Sequence, residues 1–141
     1  MEKKSCDTSD LIKLLHHGAL DDVLRCGDVQ PVFTEYLAQL CSERNATRER
    51  VIQRAGIERS YGHQLFNGIR RPSRDKALQL AFGLELDAER TQALLRAAKV
   101  GQLTPHAKRD AVILYGLMHH LSLNETRTLL SNFSLPPLGS E

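Results

Sequence analysis

The stretch Thr47-Arg-Glu-Arg-Val-Ile-Gln-Arg-Ala-Gly56-Ile-Glu-Arg-Ser-Tyr-Gly-His-Gln-Leu-Phe-Asn67-Gly68 reads as two short helices around a glycine turn. Thr47 is an N-cap residue type, and the helix it opens places Val51, Ile52 and Ala55 on one apolar face. Gly56 permits a sharp change of direction and Ile57 plugs the corner. The second helix, about Arg59–Asn67, is anchored by Leu65 and Phe66, so its other face projects outward; Gly68 stops it. A projecting helix of this length fits the major groove of duplex DNA, where each base pair offers a distinct set of donors and acceptors.

Helices also fill the chain on either side. Upstream, Phe33, Tyr36, Leu37, Leu40 and Cys41 recur at helical spacing, giving a helix over Phe33–Arg44. The segment before it, about Thr8–Arg25, reads as two short helices broken near Gly18, with a boundary at Gly27, Asp28 and Pro31. Downstream, Ser73 caps a helix through Phe82 or Gly83 with Ala77, Leu78 and Ala81 inward, and Asp87 caps one to about Lys99 with Leu94, Leu95 and Ala98 inside. Thr104-Pro105 is an N-cap followed by proline at the first helical position, predicting a helix to about His120 with Ala111, Leu114, Tyr115, Met118 and Leu121 on its buried face. Ser122-Leu-Asn-Glu125 is a capping box that opens a last helix to about Phe133. Pro136-Pro137 ends the fold and the residues beyond fray. The expected architecture is all-α: a helical segment over 1–31, a repressor-like five-helix unit assigned to 32–86, a C-terminal helical hairpin within an extension over 87–135 packed on it, and a tail over 136–141.

Charge singles out the same central region. Residues 44–76 hold nine lysines and arginines against three carboxylates, whereas the rest of the chain holds ten against fourteen. A basic block on an acidic body is the footprint of phosphate binding, although a solvated charged face produces the same count. Apolar residues at 41% and charged residues at 26% exclude wholesale disorder. No run of about 18 apolar residues is available to span a membrane, and the polar Met1-Glu-Lys-Lys start is unlike a signal core. Cys6, Cys26 and Cys41 form no C-x-x-C pair, so neither a disulfide framework nor a zinc site is indicated and a reduced, cytoplasmic compartment is expected.

The polar start Thr47-Arg48-Glu49, the Ala55-Gly56-Ile57 turn, the Asn67-Gly68 stop and the basic loop before Pro72-Ser73 resemble the Cro/repressor-like helix-turn-helix family, also called the xenobiotic-response-element family, over about Phe33–Leu86. Glu58-Arg-Ser-Tyr-Gly-His-Gln-Leu-Phe-Asn-Gly with Arg71-Pro-Ser-Arg-Asp75 looks more closely like small Gram-positive helix-turn-helix proteins with an all-helical C-terminal extension. The resemblance implies sequence-specific binding of double-stranded DNA in transcriptional control. It places Arg59, Ser60 and Gln64 where the family reads bases, with His63 on the same face. Arg48, Arg70, Arg71 and Arg74 become phosphate contacts, and a homodimer through the C-terminal helices is implied for a twofold operator. The competing reading is a protein-interaction module, an adaptor or antitoxin-like partner that uses the scaffold without reading bases.

Two residues depart from the family pattern. Gly62 stands where an apolar packing residue is usual: either it lets two helices approach closely, with Tyr61 filling the space, or the helix no longer enters DNA normally. Glu58 brings an acid toward phosphates, yet at a helix N-terminus an acid is locally favoured. The remaining signals point away from an enzyme. His16-His17 and His119-His120 are adjacent pairs, splayed about 100° apart on a helix and poorly arranged for one metal. No nucleotide-binding glycine loop and no H-E-x-x-H occurs, and Asp110 reads as an ion-pair partner rather than a catalytic acid. No cofactor, metal or catalytic residue is expected.

Overall fold

A computed structural model of the chain describes residues 32–139. The helices expected over Thr8–Arg25 lie outside those residues. Seven α-helices and no strands occur among the described residues: α1 (Phe33–Glu43), α2 (Arg48–Arg54), α3 (Arg59–Phe66), α4 (Arg74–Gly83), α5 (Ala88–Ala97), α6 (Lys108–Met118) and α7 (Leu123–Asn132).

Local chemistry accounts for most of the boundaries. Thr47 Oγ1 accepts a hydrogen bond from the Arg50 amide, Ser73 Oγ from Lys76, and Asp87 Oδ1 from Arg90. Ser122 and Glu125 form the reciprocal capping box. Each cap satisfies an amide that the helix cannot, which contributes about 1 kcal/mol. The opposite ends share one device. A residue with positive φ follows each helix: Asn45, Gly56, Gly68, Glu85, Lys99, His120 and Ser134. The next amide then donates back across the last turn, as Ile57 does to the Ile52 carbonyl at 3.2 Å and Leu121 to Gly116 at 2.8 Å. This is the Schellman closure, in which an apolar side chain normally folds back onto its own helix.

One boundary differs from the sequence expectation. α6 begins at Lys108, not at Pro105. Thr104 Oγ1 caps a turn by accepting from the His106 amide, and the Thr104 amide donates to Asp110 Oδ2, so the Thr104–Ala107 segment wraps the buried carboxylate instead of starting the helix. The inward face of α6 is correspondingly Asp110, Ile113, Leu114 and Leu117. Leu114 is shared with the expected face, but Tyr115 and Met118 are 52% and 61% exposed.

Two cores meet on α4. The first joins Leu37 and Leu40 of α1, Val51 and Ile52 of α2, Leu65 and Phe66 of α3, Leu80 and Ala81 of α4 and Leu94 of α5. The second joins Ala77, Leu78 and Phe82 of α4 with Leu95, Ile113, Leu117, Leu130 and Leu138. Every residue of α4 from Lys76 to Gly83 is buried, as a helix flanked by apolar surface on both sides requires. Gln79, fully buried there, donates from Nε2 to the Ala55 carbonyl at the end of α2.

The C-terminal segment corrects a second expectation. Leu138 is fully buried, and its carbonyl accepts a hydrogen bond from Arg127 Nε. Arg109 donates to the Pro136 and Pro137 carbonyls, and the Gly139 amide donates to Asp75. The chain through Gly139 is therefore tied to α4, α6 and α7 rather than frayed.

Candidate nucleic-acid interface

α3 is short, and two details of sequence set how it stands. Glu58 is its N-cap: its two carboxylate oxygens accept from the Ser60 and Tyr61 amides at 3.0 and 2.9 Å. Those bonds hold the Glu58 carboxyl below the usual glutamate range. The acid is thus spent on the helix's own amides. Gly62 is buried against α2. A methyl group there would lie 2.6–2.8 Å from the side-chain carbons of Ile52, closer than carbons pack. Gly62 thus permits close approach of α2 and α3, and Tyr61 is half-buried beside it against the first core, as the packing alternative expected.

With Leu65 and Phe66 buried, the outer face of α3 carries Arg59 and Ser60, both exposed, and His63 and Gln64, both half-buried. His63 Nε2 lies 3.8 Å from Glu49 Oε1 on α2. The four residues expected to read bases share this face.

Basic side chains gather around α3 through aromatic and amide partners. The Arg70 guanidinium lies over the Tyr61 ring at 4.4 Å, and Lys76 Nζ approaches the same ring at 5.4 Å. A cation over an aromatic face is held by the ring quadrupole. On the other flank, Arg48 donates to Asn67 Oδ1 at 3.0 Å and sits 5.4 Å from the Phe66 ring. Arg71 is exposed, with no ion pair among the described residues. Tyr61 as the platform and Asn67 as the tether were not singled out from sequence. The signal for the platform is a pair of aromatic residues, Tyr61 and Phe66, followed closely by the basic residues Arg70 and Lys76.

Arg74 is the exception among the expected phosphate contacts. Its Nη1 and Nη2 donate to Asp110 at 2.9 and 2.7 Å, its Nε to the Gly101 carbonyl, and its Nη2 also to the Gln102 carbonyl. The hydrogen bond to Asp110 holds its pKa above the ordinary arginine value. With its donors committed inside the protein, Arg74 is a strut between α4 and α6, not a surface cation. Asp110 is the ion-pair partner that its sequence context suggested.

A cleft of about 640 Å³ lies where the ends of α1, α2, α4 and α6 meet the start of α7, lined by Arg44, Arg54, Phe82, Leu117 and Leu123 among others. Its carboxylates are engaged: Glu85 with Arg54, Asp87 with the Arg90 amide, and Glu125 with the Ser122 amide. No group of three or more histidine, cysteine or acidic side chains among the described residues is placed to hold a metal ion. No helix among them is long and apolar enough to cross a membrane.

A family model described as a helix-turn-helix domain matches residues 32–104, just over half of the chain. The span takes in α1 to α5. No curated protein and no solved structure shows a significant match.

Proposed function

The chain belongs to the helix-turn-helix domain family, and on that premise we propose that it is a sequence-specific duplex DNA-binding transcriptional regulator of the Cro/repressor-like kind. One observation carries this reading: an outward face of α3 bearing Arg59, Ser60, His63 and Gln64, flanked by Arg48 on one side and by Arg70 and Arg71 on the other. Arg59 and Gln64 have the donors and acceptors for bidentate contacts to guanine and adenine, and the flanking cations suit phosphates. The reading needs base-reading side chains on the helix and cations at its edges, and the residue types at both places suit it. Residues 32–86 hold four helices, α1 to α4, so the expected five-helix unit needs α5 from the extension assigned to 87–135. We assign the unit to α1–α5 in place of 32–86, with α6, α7 and the C-terminal segment as its extension.

Selection from random duplexes with the full chain tests the reading. An enriched motif whose preference at one position is lost in Gln64→Ala supports it. Binding that falls steeply with salt and is lost in Arg59→Ala with Arg71→Ala favours DNA binding over a protein-interaction module. No enrichment at low salt overturns it.

The second reading, a protein partner, is favoured by Tyr115 and Met118, which α6 presents to solvent. Both readings are compatible with a homodimer through α6, for which the mass of the chain in solution before and after Met118→Glu is the test.

A further inference from the structure

Two side chains tie the C-terminal segment to the turn that precedes α3. Gln79 of α4 is fully buried, and its Nε2 donates at 2.9 Å to the Ala55 carbonyl at the end of α2. A helix end leaves carbonyls of this kind without a backbone partner. Gln79 Oε1 is enclosed as well and has no hydrogen-bond partner among the described residues. It lies against Gly139: a methyl group there would stand 2.5 and 2.7 Å from Gln79 Cδ and Nε2, and closer still to Oε1. Arg127 of α7 makes the second tie. Its Nε donates to the Leu138 carbonyl at 2.8 Å, and its guanidinium lies beside Gly56, where a methyl group would meet Nη1 at 3.5 Å.

The segment at the far side of these ties is itself anchored. Arg109 grips the Pro136 and Pro137 carbonyls at 2.9 and 2.8 Å, Leu138 is fully buried, and the Gly139 amide donates to Asp75 Oδ2 at 3.3 Å. Gly139 has a φ of 69°, which glycine adopts without strain. At the near side, the chain leaves α2 for α3 through a turn closed by the Gly56 amide on the Gln53 carbonyl and the Ile57 amide on the Ile52 carbonyl. A buried amide bonded at one end and packed at the other passes a displacement from one to the other, because a close-packed interior has no slack to absorb it. The turn sets the angle of α3 against α2, and side chains that read bases must be held to within about 0.5 Å. We infer that Gln79 is a positioning residue through which residues 136–139 fix the Ala55-Gly56 turn, and with it the presentation of α3. The consequence for DNA rests on the reading above; the link itself does not.

Amide spectra of the full chain test the link, and titrations with the selected duplex test its consequence. Gly139→Ala is expected to shift the Gly56 and Ile57 amide resonances and to lower duplex affinity about threefold to tenfold. Gln79→Met keeps the length of the side chain and deletes its amide. It is expected to shift the same resonances and to lower affinity by a similar factor. In the double variant the two losses are expected not to add, because both act through one side chain. Should Gly139→Ala fail to fold, Leu138→Ala takes its place in the same comparison, loosening the segment without adding an atom. Unmoved Gly56 and Ile57 resonances in the single variants, or losses that add in full, overturn the inference while DNA binding stands. Shifted resonances with unchanged affinity overturn the positioning role. A wild-type chain that binds no duplex overturns the DNA reading and the consequence drawn from it, and the spectra then uphold or strike the link.

Discussion

Arg74 and Asp110 are 36 residues apart in sequence and joined by two hydrogen bonds, at 2.9 and 2.7 Å, with the aspartate side chain only 6% exposed. The residues beside them repeat the arrangement in reverse: Arg109 grips Asp75 with two bonds of 3.0 Å. An Arg-Asp dipeptide at the start of α4 is thus crossed with an Arg-Asp dipeptide at the start of α6.

Removing one partner of such a pair leaves the other buried without its counter-charge. Arg74→Ala is therefore expected to destabilise the fold by about 2–4 kcal/mol, somewhat below the value for a fully buried pair because the arginine is itself partly exposed. Arg71→Ala, at an exposed residue with no ion pair among the described residues, is expected to change stability by less than about 0.5 kcal/mol and to lower the salt slope of duplex binding by about one. Urea unfolding of both variants beside salt titrations of Arg71→Ala checks the division of labour.

Acid acts on the same contacts. Burial alone pushes the Asp110 carboxyl up, but the bonds from Arg74 and the Thr104 amide outweigh it and hold the group below the ordinary aspartate range. Asp75 behaves alike, with Arg109 and the Gly139 amide overcoming burial. A carboxyl depressed in the folded state stabilises fully above its unfolded value, and that stabilisation is lost as pH falls through the folded one. The urea midpoint is accordingly expected to be insensitive to these groups near neutrality and to decline below about pH 4. Asp110→Asn is expected to start lower at pH 7 and to decline less steeply.

Gly62→Ala sets two effects against each other. Alanine favours a helix by about 1 kcal/mol over glycine. The added methyl, however, meets Ile52 at 2.6–2.8 Å, and overpacking of that kind costs about 1–3 kcal/mol. Net destabilisation is expected in a thermal melt. Ile52→Ala, harmful alone, is expected to be less harmful in the Gly62→Ala background, because the space it vacates receives the methyl.

Sequence legibility followed the range of the interaction. Thr47, Ser73, Asp87 and Ser122 cap as their residue types imply, because each cap is made within three residues. Gly56 and Gly68 mark turns for the same reason. What misled was distant: Thr104-Pro105 has the chemistry of a helix start, but a carboxylate six residues on captures the Thr104 amide. Tyr115 and Met118 look like core, but the ion pair turns Asp110 inward and rotates the face away from them. Arg74 is indistinguishable from Arg70 and Arg71 until its partner on α6 is known. Of the four residues expected to read bases, the one-sided pattern of α3 was enough to place all four on one face.

Lys99 and His120 occupy the left-handed position at the ends of α5 and α6, with φ of 59° and 56°. Both are exposed. Glycine pays no steric penalty there, although it loses more freedom on folding. Lys99→Gly is expected to raise stability by about 0.5–1 kcal/mol, as glycine does at C-terminal closures. A higher melting temperature with unchanged duplex affinity is the expected record.

The burial of α4 from Lys76 to Gly83 has a consequence for anyone who wishes to make the protein smaller. A fragment cut at residue 104, where the match to the family model stops, would keep Arg59, Ser60, His63 and Gln64 and yet strip Ala77, Leu78 and Phe82 of α6, α7 and Leu138. Such a piece is expected to aggregate or melt, so α3 travels only with the C-terminal helices attached.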